Sequence, residues 1–392
     1  MQYEELVKKY GTPLYLYDSK DLNNRISYIK SRLNSNCKLI FAVKANSFIL
    51  RELDNLIDGY EICSFGEYEI CEKLKLDKSK FLISGVSKTE KEIKKILCDG
   101  TKKFTIESKT QFELLDKLTK EYNTHIEVLI RLTSGNQFGV SEEDFVEIVK
   151  QIKEGNLIRI KGIEYFTGTQ KHSIKKINRE IDYLIEFMGI LKNKYDVDIE
   201  EVEYGPGLPV FYFQGENFNE DVFFEEFREA LSKFKDKKIS LEIGRSIAAS
   251  CGKYLTSIVD MKQSKIGNTI LLDGGINHIV YYGQTMAMRK PYYDIYPNRE
   301  EPTETYNLYG SLCTTNDVLL KNIELNKPQI GDVIVFKNVG AYSSTEGISL
   351  FLSRELPKIV ICDINGNYHL VRNNLKTSEI NFPNYDIKEY KI

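Results

Sequence analysis

From residue 39 to 244 one pattern repeats along the chain. A short apolar run is followed by a polar break and then by a stretch with apolar positions three and four apart. The runs are "LIFAVKA" (39–45), "YEICSF" (60–65), "KFLISG" (80–85), "KFTIES" (103–108), "IEVLIRL" (126–132), "IKGIEYF" (160–166), "IEEVEYG" (199–205) and "ISLEIG" (239–244). Short runs with little alternation predict strands buried on both faces. Helical spacing is carried by "DSKDLNNRISYIKSRL" (18–33), "EYEICEKLKL" (67–76), "TEKEIKKILCD" (89–99), "TQFELLDKLTKEYN" (110–123), "EEDFVEIVKQIKEG" and "INREIDYLIEFMGILKNKY". Eight such units predict an α/β fold, an eight-stranded parallel (β/α)8 barrel of the TIM type. An open doubly wound sheet is the alternative that strand counting leaves standing.

After residue 255 helical spacing fades. "YLTSIVDMKQS", "NTILLDGGIN", "TETYNLYGSLC", "DVIVFKNVG", "PKIVICDING" and "YHLVRNN" predict short strands between turns. The expected division is a barrel over 20–255 and a C-terminal all-β domain over 256–392. Residues 1–19 are expected to add a strand, "TPLYLYD" (12–18), to that second domain.

With 392 residues, 42% of them apolar and 28% charged, the chain has the material for two soluble domains. A net charge of −3 gives no electrostatic reason to expect nucleic acid or an anionic membrane as partner. No apolar stretch approaches the roughly 20 residues that span a bilayer. The start carries no apolar signal core, so a cytoplasmic protein is expected. Seven scattered cysteines without a C-x-x-C read as reduced thiols, and four scattered histidines do not form a zinc pattern. No metal is expected.

Lys44 ends the first apolar run. It either clears the strand to reach solvent, or it is a desolvated amine of lowered pKa, poised to form an imine with a carbonyl. "YGPGLPV" (204–210) follows the seventh run, and its glycines allow backbone amides to approach an anion. "LEIGRS" (241–246) follows the eighth, and loops after strands seven and eight are a phosphate position in such barrels. Glu242 reads either as a salt-bridged strand-end carboxylate or as the partner of a protonated ring nitrogen. Lysine, phosphate loop and carboxylate together describe a pyridoxal 5′-phosphate site.

"AVKAN" resembles the cofactor-lysine motif of the fold-type III pyridoxal phosphate decarboxylases, the diaminopimelate and ornithine decarboxylase family. "YGTPLYLYD", "GIEYFTGTQ" (162–170), "YGPGLPV", "EIGRS", "LDGGIN" (272–277), "GSLCTTND" (310–317) and "VGAY" (339–342) are similar to its other landmarks, in order. The resemblance implies that Lys44 binds the cofactor and Glu242 pairs with the pyridinium nitrogen. It implies that Gly205, Gly207, Thr169, Gly244, Arg245 and Tyr342 grip the phosphate, with Arg131 near the ring's phenolic oxygen. Cys313 becomes the acid that protonates the carbanion. The active site is implied to be shared in a homodimer, with Cys313 and Asp317 supplied by the partner.

The departures bear on substrate. Phe166 stands where the family stacks a histidine on the ring, Ile243 replaces the proline of E-P-G-R, and Pro206 replaces a glycine. Thr314 stands where diaminopimelate decarboxylases carry an acid, and Tyr281 lies near the place of their arginine. "YFTGTQ", "LCT" and "GAY" resemble in detail the butirosin-pathway branch, which decarboxylates a glutamyl group on a carrier protein. The expected activity is therefore release of CO2 from an amino acid, either free or carrier-tethered. Decarboxylation of diaminopimelate is the alternative substrate reading. A cofactor-free binding protein of the antizyme-inhibitor kind and a racemase are the alternatives of other classes.

Overall fold

The computed structural model describes residues 2–153, 157–265, 267–300 and 302–383. The chain forms two compact units. One comprises Asn23–Val210 and Asn217–Ile247; the other comprises the residues up to Leu22, Phe211–Glu216 and those from Ala248 onward.

Strand β1 (Leu14–Asp18) belongs to the second unit. In the first, β2 (Cys37–Ala42), β3 (Gly59–Ile62), β4 (Phe81–Ile83), β5 (Lys103–Ile106), β6 (Ile126–Arg131), β7 (Ile158–Phe166), β8 (Glu201–Gly205) and β9 (Lys238–Ile243) close in sequence order into a parallel barrel. This is the expected eight-stranded fold, and the open sheet is excluded. Local signals set the helices between the strands. Thr89 and Glu92 form a capping box ahead of Glu90–Cys98, and Ser108 caps Lys109–Glu121 through the Gln111 amide.

Strand register decides which side chains fill the barrel. Ile40 pairs with Glu242, Ala42 with Glu61, Arg131 with Glu164, Glu164 with Glu203, and Glu203 with Ser240. Paired residues share a face, and alternate residues take the opposite one. Tyr204 faces outward, since its hydroxyl donates to Glu180 on the helix Ile174–Tyr195 at 2.5 Å. Its neighbour Glu203 therefore faces inward, with Glu164, Glu61 and Glu242. Barrels of this type normally fill with apolar layers; this one places charge there.

In the second unit β1 pairs antiparallel with β10 (Gly252–Ser264). The remaining strands are β11 (Gly267–Leu272), β12 (Tyr293–Tyr296), β13 (Thr303–Tyr309), β14 (Val318–Asn326), β15 (Val333–Lys337), β16 (Lys358–Cys362) and β17 (Tyr368–Arg372). Their order is β14-β13-β11-β10-β1-β16-β17, with β15 joining β10 to β12. The sheet is mixed, because β1–β16 and β11–β13 run parallel. Leu6, Leu14, Leu16, Leu255, Val335 and Val360 form its core. β12 and β14 are not marked by the apolar pattern: "YDIY" is short and half-buried, and "VLLKNIELN" loses its alternation where its pairing with β13 shifts register.

Candidate active site

Strand β2 ends at Ala42, and Val43–Ala45 continue as a 3-10 turn closed by the Asn46 amide bonding to the Val43 carbonyl. The turn sets Lys44 at the C-terminal end of the barrel. Its ammonium donates to Glu61 Oε2 at 2.8 Å and Glu242 Oε1 at 3.1 Å, and lies 3.4 Å from Cys63 Sγ. Its side chain keeps 40% of its surface exposed, against 1% for Glu61 and 9% for Glu242. Lys44 is thus both paired and reachable.

The expectation of a lowered amine pKa is corrected here. Burial does act to lower it, but Glu242 and Glu61 outweigh burial and hold the ammonium well above its ordinary value. The two acids divide unequally. Burial and the Glu61 charge push Glu242 up, with Lys44 opposing. In Glu61 burial is overcome by Lys44 and by hydrogen bonds, so that carboxylate is held low. Glu61 comes from β3, a strand read only as an apolar run, which is why the sequence pattern missed it.

Arg131, at the end of β6, is buried between Glu107 (Nη1–Oε2, 3.1 Å) and Glu164 (Nε–Oε1, 3.2 Å) and lies over the Phe138 ring at 4.9 Å. The carboxyl oxygens of Glu61, Glu164 and Glu242 lie within 4.8 Å of one another. Lys88, also missed, donates to the Gly85 carbonyl, Thr105 and Gln111. Burial lowers it to about 8.

The loop after β8 packs on the segment after β7. A Cβ on Gly207, at φ +58°, would meet the Gly168 carbonyl oxygen at 2.2 Å, and one on Gly205 would meet the Phe166 ring at 2.4 Å. Only glycine fits either position. A buried pair unmarked in the sequence, Lys171 and Glu180 at 2.7 Å, anchors this cradle. Lys171 donates from its amide to the Gly207 carbonyl and from Nζ to the Gly205 carbonyl, while Thr167 and Tyr204 donate to Glu180. Thr169 and Gly244 are half-buried, as is Arg245, which opens the short helix Arg245–Ala248. A reachable lysine, a buried carboxylate held near neutrality and a glycine cradle are what a pyridine aldehyde bearing a phosphate requires, so the residues present fit pyridoxal phosphate.

The remaining expected residues lie in the second unit. Cys313 is exposed and Thr314 half-buried. Asp317 is 1% exposed, and its carboxylate accepts from the Ile276 and Leu312 amides, both at 2.8 Å. Added Cβ atoms on Gly275 or Gly310 would collide with that carboxylate. Tyr342 adopts φ +64° between Ala341 and Ser343. Tyr281 is buried, its hydroxyl bonded to the Lys337 carbonyl at 2.7 Å. No helix among the described residues is long and apolar enough to cross a membrane.

Residues 14–340 match the family model described as "Pyridoxal-dependent decarboxylase, C-terminal sheet domain". The chain is similar to the diaminopimelate decarboxylase of Vibrio cholerae, 28% identical with 96% of this chain and 93% of that one covered. It is also similar to the L-glutamyl-(BtrI acyl-carrier protein) decarboxylase of Niallia circulans, 25% identical over 94% and 92% of the two chains. The crystal structure of diaminopimelate decarboxylase from Methanocaldococcus jannaschii in complex with L-lysine superposes with a TM-score of 0.85 at 25% identity, covering 96% and 92%.

Proposed function

The chain belongs to the pyridoxal-dependent decarboxylases, and from that premise we propose that the barrel mouth around Lys44 removes the α-carboxylate of an amino acid as CO2. The enzyme is of the diaminopimelate decarboxylase type and uses pyridoxal phosphate. The observation that carries the site assignment is Lys44 bracketed by Glu61 and Glu242.

Lys44 holds the cofactor covalently. To react, its amine must first lose a proton, and Glu242 Oε1 at 3.1 Å is the acceptor whose affinity for a proton is raised. Bound pyridoxal phosphate supplies an electron sink for the pair of electrons left when CO2 departs. Glu242 holds a proton toward the ring nitrogen, which keeps that sink effective. Phe166 would offer an aromatic face to the ring, and Arg131, held by Glu107 and Glu164, would serve its phenolic oxygen. Gly205, Gly207, Thr169, Gly244 and Arg245 receive the phosphate on the cradle set by Lys171.

Tyr342 joins the phosphate grip, and Cys313 and Thr314 enter from the partner of a homodimer; the family resemblance supports these roles. Cys313 is the acid for the α-carbon. Asp317 holds the Cys313 loop to the 272–277 loop, since its carboxylate is committed to two backbone amides.

For substrate, the replacements Thr314 and Tyr281 favour a carrier-tethered or otherwise modified amino acid. Both remove groups that would meet a distal amino acid end, and the Niallia circulans relative carries a name of that kind. Diaminopimelate is the second reading, favoured by the match to the Vibrio cholerae enzyme. The test is CO2 release from meso-diaminopimelate, ornithine, lysine, arginine and carrier-linked glutamate. Release from carrier-linked glutamate alone supports the first reading. Release from diaminopimelate alone replaces it with the second, and no release from any member contradicts the class assigned.

A further inference from the structure

The barrel interior holds more acid than base. Glu61, Glu107, Glu164, Glu203 and Glu242 face Lys44, Lys88 and Arg131, an excess of two carboxyl groups, and Glu61, Glu107, Glu164 and Glu203 are all buried. A buried, uncompensated carboxylate is costly enough that it takes up a proton instead. Hydrogen bonding separates two of these acids from the rest. Among the described residues neither oxygen of Glu164 and neither oxygen of Glu203 has a hydrogen-bond partner, and both residues are 1% exposed. Glu61 and Glu242 each meet Lys44, and Arg131 meets both Glu107 and Glu164, the latter as an ion pair at 3.2 Å that lacks hydrogen-bond geometry; Glu203 has neither kind of partner.

These two acids also connect opposite ends of the barrel. Glu164 and Glu203 are register partners on β7 and β8, with backbones about 4.8 Å apart as in any sheet. On one side, Glu164 lies within 4.8 Å of Glu61 and Glu242. On the other, Glu203 lines a cavity of about 280 Å³ together with Lys38, Lys103, Glu201, Lys238 and Ser240. These residues lie at or near the first positions of their strands, so the cavity is the N-terminal mouth of the barrel. Loss of CO2 from an α-carboxylate breaks a C–C bond, and the electron pair left on carbon takes one proton. Each turnover therefore draws one proton into the site.

We propose that Glu203 and Glu164 are neutral carboxylic acids that carry protons from the N-terminal mouth of the barrel to the Glu61–Lys44–Glu242 cluster. Glu164 passes its proton to a carboxylate of the cluster and takes one from Glu203; Glu203 is reloaded from water in the cavity. The charged and titratable groups facing Glu203 are Lys103 and Glu201 on the cavity side and Glu164 and Glu242 on the other. Lys103 and Ser240 donate to Glu201, at 2.8 and 2.6 Å, which keeps that carboxylate ionised and leaves Glu203 as the carrier. The proposal depends on the decarboxylase reading only for the use made of the proton.

The test needs no turnover, so its failure is separable from failure of that reading. Infrared spectra of the cofactor-free protein at neutral pH should show the carbonyl stretch of protonated carboxyl groups, shifting in D2O. Glu164→Gln and Glu203→Gln should each remove part of that band. In Glu203→Gln the deuterium shift of the remaining Glu164 band should slow by at least about tenfold, because an amide does not relay a proton. Glu203→Asp is the second variant, for the case in which the amide does not fold; it draws the acid back from Glu164 and should slow the shift to a lesser degree. No protonated-carboxyl band in the wild type, or an unslowed shift in either folded variant, overturns the proposal.

Discussion

One ammonium, that of Lys44, stands 2.8 Å from Glu61 and 3.1 Å from Glu242 and holds together two carboxyl groups that burial alone would neutralise. The lysine is therefore part of the electrostatics of the site before any cofactor arrives. Lys44→Ala should abolish cofactor binding and CO2 release while the fold survives, because the side chain is 40% exposed at the strand end. Circular dichroism and the absorbance band of the bound cofactor check both halves. Wild-type turnover in this variant would refute the assignment.

Glu242→Gln tests the opposite partner. A neutral amide cannot keep the ring nitrogen protonated, so the variant should retain the cofactor and lose on the order of a hundredfold in kcat, with KM little changed. An unaltered kcat would leave Glu242 as a strand-end salt bridge and no more.

The barrel was legible because its strands are buried on both faces and stand out as apolar runs. Lys44, Glu242 and the glycine cradle were legible because their spacing follows the strand ends. Glu61, Glu164 and Glu203 were hidden in the same runs, "YEICSF", "IKGIEYF" and "IEEVEYG". There a glutamate looks like a surface residue until register places it inside. Alternation did hold a signal: Glu201 and Glu203, and likewise Ser240 and Glu242, are two residues apart and share the inner face. The expected low pKa for Lys44 failed for the same reason, since Glu61 reaches it from another strand. Lys171 and Glu180 could not be read at all, because a loop and a helix meet only in the folded chain.

Lys171→Met should loosen the phosphate cradle. It strands the buried Glu180 carboxylate and frees the carbonyl of Gly205. Removing one member of a buried pair costs about 3 kcal/mol, offset in part by the Thr167 and Tyr204 hydroxyls. Chemical denaturation and the cofactor dissociation constant should both shift; a change in neither would show that the cradle stands without this pair.

His278, buried in the second unit, accepts from Tyr254 at Nδ1 and donates from Nε2 to the Glu355 carbonyl, at 3.0 and 2.8 Å. Burial pulls it from 6.5 down to about 4. The folded state thus binds fewer protons than the unfolded one between those values. Its contribution is complete above about pH 6.5 and is lost as pH falls toward 4, amounting to roughly 3 kcal/mol. Denaturation of His278→Gln across that range should show a shallower loss than the wild type; parallel curves would contradict this.

The proposal that the site is shared between subunits predicts complementation. Lys44→Ala and Cys313→Ala chains should each be nearly inactive alone. After subunit exchange they should recover up to roughly a quarter of wild-type activity, since half of the dimers are mixed and each has one intact site. Continued inactivity after proven exchange would place both residues in one chain's site.

The central claim is that Lys44, of the lysines near the barrel mouth, carries the cofactor. Lys88, lowered to about 8, is the competitor that proton affinity alone would choose, but its ammonium is committed to three oxygens. Borohydride reduction of the loaded enzyme followed by peptide mass mapping decides between them. The account predicts the cofactor mass on the peptide containing Lys44 and on no other; the label on Lys88 or Lys171, or on no lysine, would contradict it.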